Sequence, residues 1–178
     1  MNKKLFLMMG APGSGKSTWV KKQLTNADAY ISRDEIRFSL LESCDDYFAK
    51  ENQVFSTFIS MIVTALQDFC IDRVFVDASH LNEGSRKKLL DAIKLNMSLD
   101  KIEINVIWLR TTLDTCIKRN NNREGRALVP EDTIRSMYKA QTMPKAIEGI
   151  QKVYMVNEKT QNIDIILLGA EDENHFSY

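Results

Sequence analysis

The sequence is poor in the residues that mark several large classes of protein. Its 178 residues include seven glycines and three prolines, too few for a collagen-like or linker-like chain. The apolar share of 44% is too high for wholesale disorder. Three cysteines, Cys44, Cys70 and Cys116, stand far apart with no CxxC spacing. That excludes a zinc knuckle and a disulfide framework, and it predicts reduced thiols in a cytoplasmic protein. There is no excess of charge of either sign. The 24 basic side chains balance 24 acidic ones, so a globally basic nucleic-acid binder is excluded while a local basic channel is not. Long apolar runs are missing too. The longest, Phe58 to Leu66, is interrupted by Ser60 and Thr64 and falls well short of the roughly 18 residues a membrane span needs, so no membrane partner is expected. The opening MNKKLFLMM has the outline of a leader peptide, but its apolar run from Leu5 to Met9 is shorter than a leader requires.

What is present alternates short apolar runs with helical periodicity, and no repeat is found. Leu5–Met9, Tyr30–Ile31, Val74–Val76, Ile102–Leu109 and Ile163–Leu168 read as strands. Helices are expected from Lys16 to Leu24, from a Ser32 cap to about Glu42, and from Tyr47 to Phe69. Others should run from Glu83 to Leu95 behind an Asn82 cap, from a Thr111–Asp114 capping box to about Arg119, and from Pro130 to a stop at Pro144. In the long helix, Phe48, Phe55, Ile59, Ile62, Leu66 and Phe69 share one stripe that should cover a sheet. This order predicts an α/β fold with three layers, a parallel sheet between helices, and ligands bound beyond the carboxyl ends of the strands. The length suggests one domain over residues 1–170, with residues 171–178 as a polar tail.

The most specific motif follows the first strand. Gly10, Ala11, Pro12, Gly13, Ser14, Gly15, Lys16 and Ser17 match GxxxxGK[ST], with Thr18 next, between a strand and a helix as this phosphate loop requires. Glycines let the backbone wrap around phosphate with amides pointing inward, Lys16 reaches the β- and γ-phosphates, and the Ser17 hydroxyl binds Mg²⁺. Asp77 closes the run Val74–Val76, where an acid stands near Mg²⁺, directly or through a water; a turn-capping role is the plainer alternative. The residue after it is Ala78, not a second acid. Asp34 and Arg37 are spaced i, i+3 at a helix start. A carboxylate there stays ionised and can accept a proton from a substrate hydroxyl, while Arg37 can hold an anionic group of that substrate. On spacing alone ordinary dipole compensation with a surface ion pair is the favoured reading. Arg123 and Arg126 lie in the polar loop NNNREGRALV beside Gly125, either as a lid over phosphate or as a solvated connection. His80, His175, Trp19, Trp108 and Arg86–Lys88 read as structural: separate histidines, tryptophans against the sheet, and a solvated helix face.

Charge is unevenly spread. Residues 1–37 carry seven basic and three acidic side chains, and residues 110–145 carry eight and four. Residues 38–109 reverse this at seven against eleven, so the candidate site lies on the basic segments.

The stretches GAPGSGKSTW, SRDEIR, VDASHLN, KRNNNREGRALVP and IRSMYKA together resemble the kinase half of the phage polynucleotide 5′-hydroxyl kinase family, over about residues 3–140. The resemblance implies an adenylate-kinase-like P-loop fold with a short arginine-bearing lid, and ATP-dependent phosphorylation of the 5′ end of a nucleic acid with Mg²⁺. It implies that Lys16 and Ser17 hold ATP phosphates and Mg²⁺, that Asp34 is the general base, that Arg37 contacts an acceptor phosphate, and that Arg123 is the lid arginine. Asp77 falls at the family's acid position. The sequence departs from the phage enzyme in two ways. No DxDxT motif is present, so no 3′-phosphatase activity is expected, and Glu124 lengthens the lid, leaving Arg123 and Arg126 both as candidates. A related kinase acting on a small-molecule or nucleotide-sugar hydroxyl is the alternative. A nucleotide-dependent switch is opposed by Ala78, by the lack of an NKxD motif and by the short chain. DNA versus RNA preference and oligomeric state are not encoded in any motif found.

Overall fold

The computed structural model of the chain describes residues 3–169. Six strands and six helices follow one another as β1 (Lys3–Met9), α1 (Lys16–Lys21), β2 (Asp28–Ser32), α2 (Arg33–Leu40), α3 (Glu51–Gln67), β3 (Arg73–Asp77), α4 (Glu83–Lys94), β4 (Ile102–Arg110), α5 (Leu113–Asn120), α6 (Glu131–Lys139), β5 (Lys152–Asn157) and β6 (Ile163–Leu167). They build one six-stranded sheet in the order β2-β3-β1-β4-β5-β6. The first five strands in that row pair in parallel, and β6 returns antiparallel to β5. The polar tail expected at 171–178, with His175, lies outside the described residues.

Burial on both faces explains the near-continuous apolar character of β1. Leu5, Leu7 and Met9 face a core with Val54, Phe58, Ile62 and Leu66 of α3 and Leu89, Leu90 and Ile93 of α4. Phe6 and Met8 point to the other face, with Val20, Phe75, Ile107 and Trp19. The period-2 alternation of one strand thus fills two layers. Trp108 packs against the first core and donates its indole N–H to Gln141 Oε1 at 3.0 Å.

Caps mark the helix starts well and periodicity marks their ends poorly. The Ser32 hydroxyl accepts the Glu35 amide at 3.3 Å, but the Glu35 carboxylate pairs with Lys21 instead of closing the box. Asn82 and Ser85 do form a reciprocal box at α4. At α5 the cap is Thr112, not Thr111, because the Thr111 hydroxyl is spent on the Ser14 carbonyl at 2.8 Å. α1 stops at Lys21 rather than Leu24, and α6 stops at Lys139, ahead of Pro144. α3 begins at Glu51, so Tyr47 and Phe48 lie in turns before it. Phe48 is 69% exposed and Phe69 is 97% exposed, so neither belongs to the core stripe.

Two elements were not expected. β5 has no counterpart among the expected strands, and with β6 it forms a hairpin that makes the sheet mixed at one edge. Arg86 is fully buried rather than solvated. Its guanidinium makes a two-point pair with Glu148 (Nε to Oε2 2.7 Å, Nη2 to Oε1 2.9 Å) and also donates to the carbonyls of His80 and Thr142. Removing one partner of such a buried pair strands the other charge, at a cost of about 3–5 kcal/mol.

Candidate active site

The carboxyl ends of β1, β2 and β3 converge. Register sets Met8 beside Asp77, and Ser32 beside Asp77 on the other flank. The loop from Gly10 to Gly15 therefore opens next to the Asp77 carboxylate. Gly13 has φ +82, and a Cβ there would sit 2.2 Å from the Cys116 carbonyl oxygen. Only glycine lets the loop lie that close to α5.

Lys16 curls back over this loop. Its ammonium donates to the carbonyls of Gly10 (2.7 Å) and Ala11 (3.1 Å) and to Ser14 Oγ (3.4 Å). Burial depresses its pKa; Asp77 and Asp34 oppose the shift and Arg123 adds to it. The Ser17 hydroxyl donates to Asp77 Oδ2 at 2.5 Å, and the Tyr30 hydroxyl donates to the same oxygen at 2.7 Å. Burial and then Asp77 push the Tyr30 phenol up, so it stays a proton donor at neutral pH. A hydroxyl and a carboxylate side by side at a phosphate loop form the oxygen-only donor set that suits Mg²⁺, which keeps several waters and takes few protein ligands. Among the described residues no group of three or more His, Cys, Asp or Glu gathers as a metal cage.

Asp34 and Arg37 sit together on α2. Arg37 Nη1 donates to Asp34 Oδ1 at 2.8 Å and to the Tyr47 hydroxyl at 2.9 Å, and Tyr47 donates to Asp34 Oδ1 at 3.0 Å. The two differ sharply in setting. The Asp34 side chain is 67% exposed and that of Arg37 only 5%. Glu51 holds Arg37 from beneath, Nη2 to Oε2 at 2.6 Å, and also pairs with Arg33. Burial would raise the Glu51 carboxyl, but the two arginines outweigh it and keep it low. The guanidinium is thus held in one orientation by protein contacts, and its Nε has no hydrogen-bond partner among the described residues.

Arg123 and Arg126 take different places. Arg126 donates to the carbonyls of Glu42 (2.6 Å), Ser43 (2.9 Å) and Asp45 (2.8 Å), clasping the connection between α2 and α3. Arg123 is exposed, and its charge acts on Lys16. Both line a cavity of about 840 Å³ that also contains Lys16, Ser17, Asp34 and Asp77. The lining includes four further cations or imidazoles, Arg33, Arg37, Lys88 and His80, so cationic groups outnumber the two carboxylates. His80 is buried with φ +41, and its Nε2 has no partner among the described residues.

Sequence reasoning had not picked out Tyr30, Glu51, Tyr47, Phe48 or His80 for this site. For Tyr30 the one available signal is its place two residues before Ser32 on a strand beside Asp77. For Glu51 there is none, since its partners Arg33 and Arg37 are brought to it by tertiary packing.

The chain belongs to the AAA domain family, whose model matches residues 5–144. Among solved structures it is similar to a chain of the Pnkp1/Rnl/Hen1 RNA repair complex, with TM-score 0.61 and 17% identity over 97% of this chain and 50% of that one. A second structure of a Pnkp1/Rnl/Hen1 complex matches with TM-score 0.53 and 21% identity, over 66% of this chain and 38% of that one. A gluconokinase from Sinorhizobium meliloti 1021 matches with TM-score 0.54 and 17% identity, over 89% of this chain and 84% of that one. The chain thus spans half or less of the RNA repair chains it resembles. What the likenesses establish is the fold: a mostly parallel sheet with flanking helices, of the P-loop kinase type.

Proposed function

We propose that this AAA-domain chain is an ATP-dependent kinase that phosphorylates the 5′-hydroxyl of a polynucleotide. The observation that carries the proposal is the placing of an exposed carboxylate, Asp34, beside a buried and pre-oriented guanidinium, Arg37, in one cavity with the phosphate-loop Lys16. A kinase must bring a hydroxyl, a proton acceptor and the terminal phosphate together, and this cavity contains groups suited to each.

In this reading the loop amides and Lys16 hold the nucleotide phosphates, and Ser17 with Asp77 would hold Mg²⁺. Mg²⁺ bound there would neutralise charge on the β- and γ-phosphates. Asp34 accepts the proton of the 5′-hydroxyl as its oxygen bonds to the γ-phosphorus. The bond from that phosphorus to the bridging oxygen breaks, and ADP leaves. Arg37 receives a phosphate of the acceptor strand, and Arg123, near Lys16, meets the charge on the transferring group. Arg126 holds the lid against the α2–α3 connection.

One observation favours a second reading, a small-molecule acceptor. The gluconokinase matches this chain over most of both lengths, whereas the RNA repair chains extend well beyond it. Against it stands the excess of cations in the cavity, which suits an acceptor carrying more than one negative charge. ATP turnover measured with 5′-hydroxyl oligonucleotides, nucleosides and gluconate separates them. Strong stimulation by oligonucleotides alone supports the proposal, stimulation by gluconate alone supports the second reading, and equal turnover without any acceptor removes both.

A further inference from the structure

We propose that Phe38 and Phe48, with Tyr47 between them, form a shelf on which the 5′-terminal base of the acceptor stacks. The inference rests on the polynucleotide reading above and names the part of the acceptor that this shelf holds.

The rings are unusually open. Phe48 is 69% exposed and Phe38 is 40% exposed, although both line the cavity that contains Asp34. Phe48 meets Tyr47 edge-on at 4.8 Å and 83°, and Phe38 meets Tyr47 at 6.2 Å and 71°. Edge-on contacts fix the rings in place, and the exposed surface that Phe48 and Phe38 keep is open to a planar ligand.

The shelf is also fixed relative to the chemistry. The Tyr47 hydroxyl bonds Asp34 Oδ1, and the Arg37 guanidinium lies 4.5 Å from the centre of the Tyr47 ring and 5.7 Å from that of Phe48. Carboxylate, guanidinium and aromatic rings therefore border one cavity. A 5′-terminal nucleotide radiates three matching groups from one sugar: a hydroxyl, a phosphate and a base. The segment that carries Tyr47 and Phe48 is held from outside. Arg126 clasps three of its carbonyls, and Lys50 donates to the Leu40 carbonyl at 2.8 Å. Such an ordered aromatic surface loses little freedom when a base settles on it.

Phenylalanine rings offer no hydrogen bonds to a polyhydroxy acid, whereas any nucleobase has a face to stack. The shelf is thus tolerant of sequence, because stacking uses a ring face that every base has.

The test compares two single-stranded acceptors that differ only in whether the 5′-terminal residue carries a base or is abasic. Wild-type protein should show a KM about tenfold or more higher for the abasic strand, with kcat little changed. Phe48→Ala should raise KM for the base-bearing strand by a similar factor and leave the abasic strand where it was, and Phe48→Trp should restore the difference. As a readout independent of turnover, a 5′-terminal 2-aminopurine should lose fluorescence on binding wild-type protein and keep it with Phe48→Ala. Transfer to both strands with equal KM, or a Phe48→Ala effect that is the same on both, overturns the shelf while the polynucleotide reading stands. Absence of transfer to either strand, with ATP turned over on another acceptor, overturns both.

Discussion

The hydroxyl of Ser17 and the carboxylate of Asp77 meet at 2.5 Å although 60 residues separate them. The contact joins the last residue of the phosphate-loop motif to the last residue of β3, and the parallel pairing of β1 with β3 places them there. Asp77 accepts the Tyr30 hydroxyl as well, so the carboxylate is oriented from two sides.

If this pair and Tyr30 set the Mg²⁺ position, Asp77→Asn should raise the Mg²⁺ concentration needed for half-maximal activity by about 10- to 100-fold. KM for the acceptor should not follow. A Mg²⁺ titration at saturating acceptor reads this directly, and an unchanged midpoint would remove Asp77 from the metal site.

Asp34 and Arg37 should fail differently. Asp34→Asn is expected to lower kcat by about 10² to 10⁴, the usual worth of a general base. Arg37→Ala should mainly raise KM for the acceptor. It should also lower the melting temperature, because Arg37 is buried and Glu51 then retains Arg33 alone. Steady-state kinetics with both substrates varied checks the division, and an Arg37→Ala effect confined to KM for ATP would refute it.

Arg123 and Arg126 are separated by their contacts. Arg123→Ala should lower kcat by up to about 10³, with ATP affinity less affected, as expected for a charge that acts in the transition state. Arg126→Ala frees the α2–α3 connection that carries Tyr47, so its loss should appear in acceptor KM. A larger kcat loss in Arg126→Ala would exchange the roles.

His80 links stability to pH. Burial first, then Lys16, Arg33 and Arg86, holds its imidazole down to about 3, against about 6.5 in the unfolded chain. Its folded pKa is the lower one, so below about pH 6.5 the unfolded chain binds the extra proton. The contribution is complete above that pH and is lost as pH falls toward 3, by up to about 1.4 kcal/mol per unit. Denaturant melts between pH 7 and pH 4.5 should be steeper in pH for wild type than for His80→Asn, a residue that accepts the left-handed backbone at this position. Equal slopes would show that His80 does not carry the effect.

Local patterns carried much of this into the sequence. The phosphate loop, β1 and the acid ending β3 were legible because each is a short segment whose residue types answer to one physical demand. The mixed edge of the sheet was not. β5 reads Lys-Val-Tyr-Met-Val-Asn, with no clean alternation, and it is a strand because β4 and β6 flank it. Phe48 fitted the helical stripe by spacing, yet the chain turns at 47–50 and leaves it exposed. Arg86 sits in a run of three basic residues that reads as solvated, and its burial depends on Glu148, 62 residues away. For β5 and Arg86 the missing information was a partner distant in sequence, and for Phe48 it was the local turn.

The most direct test of the central claim follows label from the γ-phosphate of ATP. Wild-type protein should move it to the 5′ end of a single-stranded 5′-hydroxyl oligonucleotide, fail with the same strand already bearing a 5′-phosphate, and lose most of the transfer in Asp34→Asn. Transfer to gluconate or another small hydroxyl with none to the oligonucleotide, or release of label to water regardless of acceptor, would contradict it.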